Sequence, residues 1–325
     1  MQASEPTTER RAASVTSASS GTRHFANFAW GVLAYNILVI LWGALVRATG
    51  SGAGCGGHWP LCNGDVMPEV SQVATAIEFT HRFMSGVSLI AVVAMFVWAW
   101  KALPSGHRAR KWATWSLVFI LTEALIGAAL VLLGHVAKNQ SVGRVYSLAT
   151  HLVNTFALLA SMALTAWWAT VPATKPATKP RQWASNKFSI RLAISALVLV
   201  AVAGAITALG DTLFPPQSLA QGIADDFSTA ANFLIRLRVI HPALAIAASA
   251  FIVTLALPAY RERDDRAVHL LGGAMLGLVL AQMVAGTLTV LLKAPVSLQL
   301  LHLLIADCLW ISLVLFSSEK LRQNS

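Results

Sequence analysis

Apolar residues in this chain gather in long uninterrupted runs, and polar residues are confined to the breaks between them. Eight runs, near 25–46, 74–100, 113–134, 146–171, 189–210, 232–258, 267–292 and 298–317, each match the ~20 residues a helix needs to cross a bilayer. A transmembrane barrel would instead show ~10-residue alternating segments. The stretch 1–24, rich in Ser, Thr and Ala, reads as a disordered tail. The stretch 172–188, PATKPATKPRQWASNKF, reads as a solvated linker, because Pro and Lys there neither continue a helix nor bury. It separates two groups of four spans, 25–171 and 189–317, and 318–325 is left as a short tail. The expected fold is all-α: a polytopic membrane protein with eight transmembrane helices in two pseudo-symmetric four-helix bundles. The first run is long enough to span and has no small-residue cleavage site after it, so no secretory signal is expected.

The two groups resemble each other. The third run contains TEALIGAALVLL (122–133) and the seventh AQMVAGTLTVLL (281–292), so that Gly127 matches Gly286 and Glu123 matches Gln282. Glu78-Phe-Thr-His81 in the second matches Arg238-Val-Ile-His241 in the sixth, and His151 in the fourth matches His302 in the eighth. This is the pattern of a duplicated four-helix unit, a parallel repeat about an axis along the membrane normal.

Composition narrows the class. Hydrophobic residues make up 56% and charged residues 12%, with mean hydropathy +0.64. Soluble domains carry about 25% charged residues, and disordered chains are poor in apolar ones, so both classes are excluded. The net charge of +10 is not a nucleic-acid footprint, because its placement follows the spans. With the N-terminus inside, 17 of the 24 Lys and Arg fall on the inner side. The positive-inside bias then puts both termini in the cytoplasm. Glu5 and Glu9 argue against a mitochondrial transit peptide.

Nine histidines are present, and His24, His58, His107, His135 and His269 lie in the tail, in loops or at helix ends. The other four, His81, His151, His241 and His302, fall one in each even-numbered run, in its outer part and at similar depth. An ionisable side chain at membrane depth is costly and is usually functional or paired. Packing accounts for one such residue more easily than for four at repeat-related positions. Two imidazoles from neighbouring helices can approach one iron from opposite faces, as axial heme ligands do. A proton relay or structural hydrogen bonding is the alternative. No Cys-x-x-Cys-His occurs, so a c-type covalent heme is not expected.

The run GALVRATGSGAGCGGHWPLCNG (43–64), then EFTHR (78–82), then the spaced histidines, resembles the heme A synthase family over nearly the whole chain from about residue 28. The resemblance implies an eight-helix enzyme of the bacterial inner membrane that oxidises the C8 methyl of heme O to a formyl group, with water as the oxygen source. It implies a resident heme b on His241 and His302, and the substrate heme near His81 and His151. It also implies a heme O synthase as partner, together with an electron acceptor and the surrounding lipid. Glu78, three residues before His81, matches the residue regarded as catalytic in the family. A carboxylate beside the methyl can stabilise developing positive charge or take a proton from attacking water. Two rounds would give a geminal diol, which loses water to the aldehyde. The bland reading of Glu78 is a carboxylate favoured by a helix N-terminus.

Arg47, Arg82, Arg236 and Arg238 lie near outer helix ends, where arginine can bind heme propionates bidentately; interfacial snorkelling is the alternative. Cys55 and Cys62 face the oxidising side, and a disulfide between them is expected. The family pattern adds a thiol–disulfide cycle for this pair. A zinc site using Cys55, His58 and Cys62 lacks a fourth ligand. Glu123 reads as a polar interhelical contact, Asp307 is ambiguous, and Cys308 reads as a small core residue. The rival reading of the whole chain is a di-heme b membrane electron carrier, which shares the four histidines and gives Glu78 no task.

Overall fold

A computed structural model describes residues 7–69, 72–171 and 187–323. The long helices are α1 (Thr7–Ala48), α2 (Val73–Ala102), α3 (Arg108–Leu132), α4 (Val142–Thr170) and α5 (Lys187–Leu213). There follow α6 (Leu219–Phe227), α7 (Phe233–Arg236), a 3-10 turn Leu237–Val239, α8 (Ile240–Arg261), α9 (Arg266–Leu291) and α10 (Val296–Gln323). Eight of these segments are long and apolar enough to span a membrane, the sixth being the continuous stretch Phe233–Arg261. The eight expected runs are found, seven of them longer by a few residues and the seventh in order, Arg266–Leu291, equal in length and shifted by one.

Three boundaries differ from the sequence reading. Helix α1 reaches back to Thr7, because Ala, Ser and Thr before residue 25 do not interrupt a helix and no Gly or Pro stands between Thr7 and the span that starts at Gly21. Helix α10 continues to Gln323, where a tail was expected from 318. Its charges are satisfied within the bundle: Glu319 accepts from Trp167 Nε1 (2.8 Å) and Arg322 Nη2 (2.7 Å). The loop after α5 holds the short helix α6, capped by Ser218. The linker 172–188 lies, except for its last two residues, outside the described residues.

Among the described residues the spans form two sets of four, α1–α4 and α5–α10, joined along α1, α4, α5 and α10. Helices α4 and α10 are the central ones: 67% and 50% of their apolar windows are buried, and no other span exceeds 33%. There Phe156 stacks on Trp310 with ring centres 4.8 Å apart, and Trp310 Nε1 donates to the Phe156 carbonyl (2.8 Å). The outer spans turn Leu38, Ile90, Leu125 and Leu280 outward, which is the expected arrangement where the surrounding solvent is lipid. The α1–α2 loop, with its Cys55–Cys62 disulfide, marks one end of the bundle, called here the disulfide end.

Candidate functional site

His81, His151, His241 and His302 each occupy the third of their span nearest the disulfide end. Opposite each ring the neighbouring odd-numbered span has a glycine. A Cβ on Gly43 (α1) would lie 2.9 Å from His81 Cε1, and one on Gly204 (α5) 2.8 Å from His241 Cε1. A Cβ on Gly286 (α9) would lie 3.0 Å from His302 Cε1, and one on Gly127 (α3) 3.7 Å from His151 Nε2. The pattern recurs in all four helix pairs: a missing side chain makes the space the imidazole fills. Gly43 and Gly204 were not singled out from the sequence, although Gly127 and Gly286 match in its repeat.

Hydrogen bonds fix the proton on one ring of each half. His241 Nδ1 lies 3.0 Å from the Val200 carbonyl, which can only accept, so Nδ1 carries the proton and Nε2 keeps its lone pair. His151 Nδ1 lies 3.0 Å from Glu123 Oε1, and the same logic leaves its Nε2, which faces the Gly127 notch, free to ligate. An acceptor on the far nitrogen is how proteins orient a metal-binding histidine. His81 Nδ1, His302 Nδ1 and Gln282 Oε1 are buried without a hydrogen-bond partner among the described residues. Such orphaned atoms are uncommon and call for an explanation such as an absent bound group.

The rings of His241 and His302 have centres 6.2 Å apart and planes at 87°. Two imidazoles bonded to one metal at about 2 Å each place their ring centres about 6 Å apart. The second pair therefore fits bis-histidine heme iron. Among the described residues no group of three His, Cys, Asp or Glu could hold a metal ion; at Cys55 and Cys62 the disulfide replaces the zinc alternative.

Glu78 is buried on α2, and its carboxylate is fully engaged. Oε2 accepts from the Cys55 backbone N–H (2.8 Å), and Oε1 accepts from Arg82 Nη2 (2.5 Å) and Nε (3.2 Å). Arg82 Nη1 also donates to the carbonyls of His58 (2.6 Å) and Leu61 (2.7 Å), inside the ring closed by the disulfide. Gly54 seats the loop on α2: a Cβ there would be 2.5 Å from the Ala74 carbonyl.

The other arginines have different fates. Arg238 is clamped between Asp211 (2.9 Å) and Asp226 of α6 (2.9 Å). Arg47 crosses from the first set of helices to the second, donating to the Ala208 carbonyl (2.7 Å), Thr212 (3.2 Å) and Gln299 (3.1 Å). Arg236 is exposed. Three of the four propionate candidates thus already hold protein groups. Asp307 is fully buried on α10, and neither of its oxygens bonds a described residue.

Residues 26–314 match the family described as cytochrome oxidase assembly protein, COX15-CtaA. The chain is similar to a "Heme A synthase" of Bacillus pumilus, 30% identical over 283 residues, covering 84% of this chain and 88% of that protein. It is 44% identical over 98 residues to a "Heme A synthase" of Bacillus licheniformis, 30% of this chain and 32% of that one. It is also 44% identical over 300 residues to a "Protoheme IX farnesyltransferase" of Thermus thermophilus, 92% of this chain but 49% of that protein. The chain therefore spans about half the length of the Thermus relatives it matches.

Proposed function

The chain belongs to the COX15-CtaA family of cytochrome oxidase assembly proteins, as the match over residues 26–314 establishes, and from that premise we propose that it is a heme A synthase of the bacterial inner membrane, with both termini cytoplasmic. In this reading His241 and His302 hold a resident heme b, and the heme O substrate sits between His81 and His151. The observation that carries it is the repeated histidine–glycine arrangement, with a buried carboxylate, Glu78, three residues before His81 where the second half has Arg238 before His241. Relatives named heme A synthase support the reaction. A farnesyltransferase relative in which this likeness fills about half the chain supports a heme O synthase as partner.

Oxidising the methyl to a formyl group with water as oxygen source releases four electrons and four protons. The bound hemes supply the path for electrons towards an acceptor. Glu78 is the residue beside His81 that can take up protons, and Arg82 with the Cys55 N–H holds its carboxylate in place. Proton transfer by a positioned carboxylate contributes about 10²- to 10⁴-fold.

The full engagement of Glu78 also favours the second reading, a di-heme electron carrier in which Glu78 only pins the loop. The test replaces Glu78 by Gln, which keeps the size and removes the charge, in cells that supply heme O, with extracted hemes separated by chromatography. The synthase reading expects heme b retained and product stopped at heme O or the hydroxylated intermediate, down 100-fold or more. Wild-type heme A yield from well-expressed Glu78→Gln would remove the catalytic role. A wild-type protein that cycles redox normally and makes no heme A would be the electron carrier.

A further inference from the structure

Glu123 and Gln282 occupy matching positions in the repeat, on α3 and α9, and each touches the histidine of the following span. In the first half Glu123 Oε1 faces His151 Nδ1 at 3.0 Å. In the second, Gln282 Nε2 lies 3.1 Å from His302 Nε2. The two residues hold matching positions but meet opposite ring nitrogens, a carboxylate at Nδ1 in one half and a neutral amide at Nε2 in the other.

The carboxylate is built in with care. Its Oε2 accepts from Asn154 Nδ2 (2.5 Å), and its Oε1 also accepts the Thr155 hydroxyl. Asn154 is fixed in turn by the Phe119 carbonyl (2.9 Å) and the Thr122 hydroxyl (2.6 Å). Both oxygens are thus satisfied by donors from α4, and the side chain cannot swing away from His151. At the second site the amide leaves Gln282 Oε1 and His302 Nδ1 unbonded among the described residues. A purely structural polar contact would not require an acid in one half and an amide in the other.

We infer that Glu123 is a positioning residue which holds His151 for ligation through Nε2 and gives the first heme site a lower midpoint potential than the second. The inference rests on the reading that each histidine pair ligates a heme iron. A carboxylate on the far nitrogen raises the basicity of a ligating imidazole, and a more basic ligand favours ferric over ferrous iron. Electrons leaving the first site would then run downhill to the second, the direction an oxidation centred on the first half requires.

The test is a spectroelectrochemical titration of heme-loaded wild-type, Glu123→Gln and Gln282→Glu proteins. Wild type should give two separate midpoint potentials. Glu123→Gln should raise the lower one by a tenfold change in the one-electron equilibrium, about 59 mV. It should also weaken heme retention at that site about 10- to 100-fold, the usual cost of losing an outer-shell partner. Gln282→Glu sets a negative charge beside His302 and should lower the upper potential; if Glu123→Gln fails to fold, an unmoved potential in Gln282→Glu overturns the inference. Heme-loaded variants with both potentials unmoved would overturn the inference, since a packing role changes stability and leaves potentials alone. A wild-type protein that binds no heme would overturn this inference and the heme reading together. One that shows the predicted shifts and makes no heme A would overturn only the synthase assignment.

Discussion

The four glycines facing the histidines give a graded experiment, because the space behind each differs. Replacing Gly204 by Ala sets a methyl 2.8 Å from His241 Cε1, where carbon atoms settle at about 3.5–4.0 Å. The ring must therefore retreat by about 0.7 Å or more. With Nδ1 tied to the Val200 carbonyl and Nε2 held by iron in the proposed heme-bound state, it would have nowhere to go. Overpacking of this kind costs about 1–3 kcal/mol. The roughly 0.5–1 kcal/mol that Ala gains over Gly inside a helix is shared by the heme-free and heme-bound protein. Because the ring can swing aside when no heme is bound, the overpacking falls on heme binding. At about 1.4 kcal/mol per tenfold, that is a loss between about 5-fold and about 140-fold. Gly43→Ala and Gly286→Ala, at 2.9 and 3.0 Å, should follow closely. Gly127→Ala, at 3.7 Å, makes an ordinary contact and should be neutral or slightly stabilising. The assay is the heme-to-protein ratio and visible spectrum of each purified variant, then the rate at which an excess of apomyoglobin strips the heme, with His241→Ala as the low-heme reference. Equal losses in all four variants, or an unaltered Gly204→Ala protein beside a damaged Gly127→Ala one, would show that the glycines do not make room for the rings.

Further outcomes are expected elsewhere. Cys55 and Cys62 should resist alkylation until reduced, with mass mapping as the readout. Changing both to Ser should cost roughly 2–3 kcal/mol on the chain-entropy scale for so short a loop, read as a lower melting temperature. Arg238→Met leaves Asp211 and Asp226 facing each other across an apolar side chain; breaking a buried pair this way costs up to about 3–5 kcal/mol. Since both carboxylates keep some exposure, the lower part of that range is expected, measured by thermal unfolding and by proteolysis at α6. His107 caps α3 by accepting the Ala109 N–H (3.1 Å), and partial burial pushes its pKa down. A folded-state pKa below the unfolded ~6.5 means stability fully present above that value and lost as pH falls through the folded pKa. His107→Asn, a cap that does not titrate, should flatten this part of the melting-temperature profile, and an unchanged slope would refute the assignment.

The spans were legible because a run of ~20 apolar residues has few other uses. The four histidines were legible because an imidazole at membrane depth needs a reason. What escaped the sequence reading depends on approach across space. Glu78 and Arg82 are four apart, a spacing that pairs charges on a helix, but nothing local says that the same arginine also grips the carbonyls of His58 and Leu61. Gly43 and Gly204 look like ordinary small residues until the neighbouring ring is seen against them. Helix α6 had a faint signal in Leu219, Ile223 and Phe227, four apart along one side, too short to stand out in a loop. The propionate candidates show the limit most clearly: basic residues near helix ends could be named, while their partners Asp211, Asp226 and Gln299 are distant in sequence or unremarkable in it.

The loops at the disulfide end are fastened to equivalent helices by unlike bonds. The first is closed covalently between Cys55 and Cys62, and the second is drawn down by Arg238 onto two carboxylates. One fastening yields to a reductant and ignores salt and acid; the other yields to acid or high ionic strength and ignores reductants. An experimenter thus holds two separate keys to one molecule. A mild thiol opens the covalent ring over the half with Glu78 and leaves the second cover in place, and a drop in pH with added salt releases the second cover while the disulfide keeps the first loop closed even as its Glu78–Arg82 pair weakens.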